Sequence, residues 1–152
     1  MHPLWDAPTR RLVLVAGSLS AIAGLLHLAV APEHFEEWWG YGAFFVVCFV
    51  AQAANGAILL WEGYSPRPRP AWWPSGWRFM LACGLVGNVL LLALWAYTRF
   101  VGVPAGPMAG EKEEIGLMDL FTKTVELGLV VALLGLVRYG PRTEPEPPVA
   151  SA

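Results

Sequence analysis

Apolar residues fall into four long blocks, at 12–30, 42–61, 79–100 and about 117–139, divided by short polar, proline-rich or acidic segments. Crossing a bilayer core takes roughly 20 helical residues, and each block is near that length. A helix satisfies its backbone hydrogen bonds internally, so it is the natural form of such a block in lipid. The pattern predicts an all-α polytopic membrane protein, with four transmembrane helices in an antiparallel bundle over 12–139. Residues 1–11 are expected to form a leading tail. Residues 140–152, rich in proline and polar groups, are expected to be disordered.

The segments between blocks predict the connections. Pro32 falls near the end of the first block, and 32–40 is expected to be a tight acidic turn. The run Ser65-Pro66-Arg67-Pro68-Arg69-Pro70 predicts an extended polyproline linker over 62–76. Trp72, Trp73 and Trp77 are placed at headgroup depth, as belt aromatics. Residues 101–114 predict a Gly/Pro loop that turns acidic at Glu111, Glu113 and Glu114.

Composition agrees with the pattern. Of 152 residues, 56% are hydrophobic and only 14% charged, whereas a soluble domain is about a quarter charged. One four-helix domain accounts for the whole chain. A net charge of -2 with no basic patch gives no footing for nucleic acid. Cys48 and Cys83 both lie inside apolar blocks, at different expected depths, and form neither a disulfide framework nor a CxxC motif. Thr9-Arg10-Arg11 and Ala29-Val30-Ala31 look like a targeting signal with a cleavage site. Pro32 directly after that site and the length of the block argue instead for an uncleaved first helix.

Positive charge sets the expected orientation. Arg10, Arg11, Arg67, Arg69, Arg78, Arg138 and Arg142 fall on one side, and Arg99, Lys112 and Lys123 on the other. This bias predicts that both termini and the Arg-Pro linker lie in the cytoplasm.

The candidate chemistry lies at membrane depth. Gly17, Ser20, Gly24, His27, Ala31 and His34 recur every three or four residues, which makes one helical stripe. His27 and His34 are then about 10 Å apart along the axis. Asp119, Thr122 and Glu126 share a face on the fourth helix, which runs the other way. Antiparallel geometry therefore predicts two layers: His34 with Asp119 near the external surface, and His27 with Glu126 deeper. Cys48 is expected near the deeper layer. It belongs to the stripe Tyr41, Phe45, Cys48, Gln52 and Asn55, and Asn88 of the third helix is expected at the depth of Gln52.

Each cluster has a structural and a functional reading. An ionisable group in a span is expensive unless it faces protein or water, so it invites a functional hypothesis. His27 with Glu126 is either an ion pair fixing two helices or a site for a cation. Lys123 competes for Glu126 at i,i+3, or for Asp119 at i,i+4. Imidazole plus carboxylate suits a divalent transition metal such as zinc or copper, and Cys48 would favour a softer ion. The same groups suit a proton relay. His34 with Glu33, Glu36, Glu37 and Asp119 is either a wet acidic cap or a vestibule that collects cations. Gln52, Asn55 and Asn88 are expected to make interhelical hydrogen bonds. Haem is disfavoured, because axial histidines normally come from separate segments and His27 and His34 share one. No Ser-His-Asp order, HExxH, phosphate loop or EF-hand spacing is present.

The segment from His27 through Pro32-Glu33-His34-Phe35-Glu36-Glu37-Trp38, with Gly116-Leu117-Met118-Asp119-Leu120 and Glu126, resembles a group of small bacterial four-helix integral membrane proteins. The resemblance implies that these residues belong together and imports no activity. The leading expectation is a bundle that binds or passes a small cation through His34/Asp119 and then His27/Glu126. The alternative is a structural or accessory subunit of a larger membrane complex, or a homo-oligomer in the bilayer. A metal-dependent membrane enzyme comes third. The first expectation requires the His27 and Glu126 side chains to face each other.

Overall fold

The computed structural model describes residues 6–65 and 72–139; residues 1–5, the proline-rich centre of the linker at 66–71 and all of 140–152, where disorder is expected, lie outside the described residues. The described chain is four helices: α1 Ala7–Glu37, α2 Trp39–Tyr64, α3 Trp73–Phe100 and α4 Leu117–Tyr139. All four are long and apolar enough to cross a membrane.

The helices overrun their expected bounds at five ends; α2 continues to Tyr64 and α3 starts at Trp73, so the linker expected to be extended over 62–76 is helical at 62–64 and 73–76. Residues 7–11 are helical, because the Asp6 carboxylate caps α1 by accepting the Thr9 N–H at 3.0 Å. The expected turn over 32–40 is also helical apart from one residue. α1 runs through Pro32 to Glu37, and only Trp38 is extended, at φ -168 and ψ 136. A proline inside a helix removes one donor and kinks the chain. Here contacts beyond it hold the last turn: the Trp38 N–H reaches the His34 carbonyl at 3.0 Å, and the His34 ring lies 4.1 Å from that of Phe45. The hairpin between α1 and α2 therefore turns on a single residue.

α1 is the central helix. It packs against α2 along one side and α4 along the other; α4 carries α3, and α2 and α3 touch only lightly. The small-residue stripe explains the α1–α2 contact. A Cβ on Gly56 would come within 2.9 Å of both the Gly17 carbonyl oxygen and the Ala21 nitrogen, and one on Gly24 within 3.2 Å of the Ala53 nitrogen. Glycine at these positions lets the two backbones nearly touch, as at small-residue interfaces in membranes.

The apolar core sits at the end of the bundle nearer the chain termini. Val13, Ala16, Leu59, Leu81, Leu129, Leu133 and Leu136 fill it together with Trp73 and Trp77. Those two tryptophans were expected as belt aromatics, but both turn inward and stack at 5.5 Å between ring centroids. Trp72 alone is exposed, at 70%. The opposite end, with Trp38 and the loop between α3 and α4, is polar.

Gly56→Ala should destabilise the bundle by about 1–3 kcal/mol, since the obstructing atoms are backbone. Gly87→Ala, with nothing within 4 Å of the added Cβ, should be neutral or slightly stabilising. Thermal unfolding of both variants in mild detergent checks this. At the α1 cap, hydrogen bonds from Thr9 hold the Asp6 carboxyl below its ordinary value. Its contribution is therefore complete above the unfolded value of about 3.9 and is lost as pH falls through the lower folded value. Amide exchange in the first turn of α1, referenced to the intrinsic rate, should lose protection in that acid window and not above it.

Candidate functional site

A cavity of about 880 Å³ opens at the loop end of the bundle. All four helices contribute to its wall: His27, Val30 and His34 from α1, Phe45 from α2, Trp95 and Arg99 from α3, Asp119 and Lys123 from α4. The loop over 101–116 folds back on itself beside it. Val103 donates to the Glu111 carbonyl at 2.8 Å and accepts from the Gly110 N–H at 2.8 Å. Gly102 and Gly110 allow this with φ of 132 and 86, a region that residues with a Cβ rarely enter. The Tyr41 hydroxyl ties the loop to α2 by donating to the Ala105 carbonyl at 2.8 Å.

His27 and Glu126 meet at the depth that the helix arithmetic requires. Nε2 of His27 lies 2.8 Å from Oε1 of Glu126, with residue exposures of 3% and 0%. Lys123, one turn before Glu126 on α4, places its Nζ 2.6 Å from the other oxygen, Oε2. Of the two partners the sequence offered Lys123, it takes Glu126. The ammonium on Oε2 marks the group as a carboxylate, so Nε2–H of His27 is the donor to Oε1. Nδ1 makes no hydrogen bond among the described residues.

His34 is tied differently. A carbonyl can only accept, so its Nδ1–H donates to the Val30 carbonyl at 2.9 Å, and Nε2 makes no hydrogen bond among the described residues. The two imidazoles flank one aromatic ring: the Phe45 centroid is 5.6 Å from that of His27 and 4.1 Å from that of His34.

The expected His34–Asp119 pair does not form. Asp119 accepts from Arg99 Nη2 at 2.6 Å and from the Gly116 N–H at 3.3 Å, which caps the start of α4. Arg99 also bonds Glu113, and it donates to Thr98 Oγ1 at 2.7 Å. A guanidinium offers a fork of charged donors and out-competes a half-buried imidazole for a carboxylate. Sequence reasoning missed Arg99. The available signal was a single arginine in the last turn of α3, opposite the acidic run Glu111, Glu113 and Glu114.

The remaining candidates divide. Glu33 and Glu37 line the cavity, while Glu36 is exposed outside its wall. Cys48 is buried on α2 and is not part of the wall. Among the described residues no three of His, Cys, Asp and Glu gather closely enough to hold a metal ion. The amides bond between helices as expected: Gln52 Nε2 donates to Asn88 Oδ1 at 3.0 Å, and Asn55 Nδ2 lies 3.5 Å from Ser20 Oγ.

The fold and this site define a multi-pass helical membrane protein with a cavity of mixed polarity at one end and a buried imidazole–carboxylate–ammonium cluster at its wall. Comparison with protein-family models, curated proteins and solved structures found no match to this chain.

Removing one member of a buried, compensated cluster strands the rest. Lys123→Met should cost about 3–5 kcal/mol, whereas the double change Lys123→Met with Glu126→Leu should cost clearly less than the two single changes added together. Chemical denaturation in mild detergent gives the comparison.

Proposed function

We propose that this protein is an integral membrane protein that captures a small cation, a divalent transition ion or a proton, in a blind cavity facing the outside of a bacterial inner membrane. The observation that carries the reading is the tethering of both imidazoles. Each borders the same cavity, each commits one nitrogen as a donor (to Glu126 or to Val30), and each keeps the other nitrogen free of hydrogen bonds among the described residues. A metal-binding histidine characteristically donates its second N–H to a carboxylate or backbone carbonyl, which fixes the tautomer and raises the basicity of the ligating nitrogen. Glu33, Glu37, Glu111 and Glu114 around the mouth would concentrate cations there.

Two features narrow the reading. The wall includes imidazole and carboxylate but no cysteine, which suits zinc or copper(II) rather than a thiolate-seeking ion. Below the cavity the apolar core around Leu59, Leu129 and Leu133 is closely filled. Binding is therefore favoured over passage through the bundle. The seven-to-three bias of Arg and Lys described above orients the cavity outward, with both termini in the cytoplasm.

Purified protein in detergent, equilibrated with Zn²⁺ and measured by calorimetry and elemental analysis, should retain the ion. His27→Ala and His34→Ala should each abolish retention, and Glu126→Gln should weaken it about 10- to 100-fold. Affinity should fall on acidification, because protons compete for the same lone pairs. Zn²⁺ uptake unchanged in the His27/His34 double variant would sink the metal reading. Unchanged proton uptake in that variant, measured with a pH dye, would sink the proton reading.

A further inference from the structure

The seam between α2 and α3, away from the cavity, carries a second polar cluster whose hydrogen bonds do not close. Asn88 Nδ2 donates to the Gly84 carbonyl at 2.8 Å, so Asn88 Oδ1 must be the acceptor facing α2. It takes the Gln52 Nε2 donor at 3.0 Å, which turns Gln52 Oε1 away from Asn88. On the other side, Ser20 Oγ donates to the Gln52 backbone carbonyl at 2.7 Å. Its hydrogen is thus committed, and Oγ can only accept, as it does from Asn55 Nδ2 at 3.5 Å. Asn55 Oδ1 is then left over as well. Both leftover oxygens are buried and without a partner, and the Gln52 side chain belongs to a residue only 4% exposed.

Neither amide relieves this by turning over, because each nitrogen is already needed where it points. The two leftover groups are both acceptors, so whatever satisfies them must bring hydrogen or positive charge. Gln52 and Asn55 are neighbours at i,i+3 on one helix face, with Cβ atoms about 5–6 Å apart, which puts both side chains within reach of a shared small guest. A bare cation is disfavoured. Glu126, the buried carboxylate of the bundle, is already balanced by Lys123, and an uncompensated charge inside a span is expensive. A water molecule offers two donors for two acceptors.

We propose that the α2–α3 seam is a binding site for one small hydrogen-bond donor, a water molecule, held by Gln52 Oε1 and Asn55 Oδ1. Because α2 and α3 otherwise touch only lightly, this water completes the joint that closes the helix ring. The site is independent of the cavity and of any cation bound there.

A high-resolution crystal structure from two buffers, one with NaCl and one with choline chloride, tests it. Density within hydrogen-bond distance of both oxygens in both buffers is the expected result. Density only in NaCl would replace water by Na⁺ and overturn the proposal, and no density in either buffer would overturn it outright. Gln52→Leu should lose the density while the His27–Glu126 contact persists. Should that variant fail to fold, Asn55→Ala serves the same purpose, and density unchanged in the variant that folds would also overturn the assignment.

Discussion

A carboxylate with no solvent exposure, placed well inside a membrane span, must be balanced by the protein itself, and this requirement on Glu126 governs the bundle. Lys123 supplies the charge from one turn away on the same helix, and His27 supplies a hydrogen bond from α1. Together they lock the axial register of α1 against α4. Rotating α1 to another face would leave Oε1 without its donor and push an imidazole toward lipid. A related pairing lies at the loop end, where Arg99 bridges Asp119 and Glu113 and so ties α3 to α4 and to the loop. Charge is paired in two places, within α4 at Glu126 and between α3 and α4 at Asp119.

That locking has a spatial consequence. Glycines draw α2 tightly onto α1, and α4 packs along another side of α1, so the central helix contacts both. α3 reaches the bundle through α4 and meets α2 in a seam bridged by amides. Large apolar side chains and two stacked tryptophans fill the end near the termini, while polar groups and the loop leave the other end open. The buried apolar core thus occupies one half of the bundle and the cavity the other. The imidazoles lie on the boundary between the two halves.

Much of this was legible in the residues. Four apolar blocks dictate four spans, because no other backbone form satisfies its hydrogen bonds in lipid. The small-residue stripe predicts a close approach by another helix, which the structure assigns to α2, and equal seven-residue steps on two antiparallel helices predict His27 and Glu126 at one height. Those inferences succeed because rise per residue and helical period are local properties. Pro32 misled for the opposite reason: the helix beyond it is held by His34 against Phe45 and by Trp38, contacts that no local rule contains.

What the sequence by itself determined is therefore the set of spans, their apolar and polar faces, and the depth of each ionisable group, all functions of position along one helix. Which neighbour each group takes was decided only by the tertiary structure. Asp119 had His34, Lys123 and Arg99 within plausible reach, and the rotation of α3 gave it to Arg99. Trp73 and Trp77 had headgroups and core to choose between, and the ring order of the helices turned them inward. Partner choice depends on how helices rotate and lean against one another, and that is settled by the packing of all four at once.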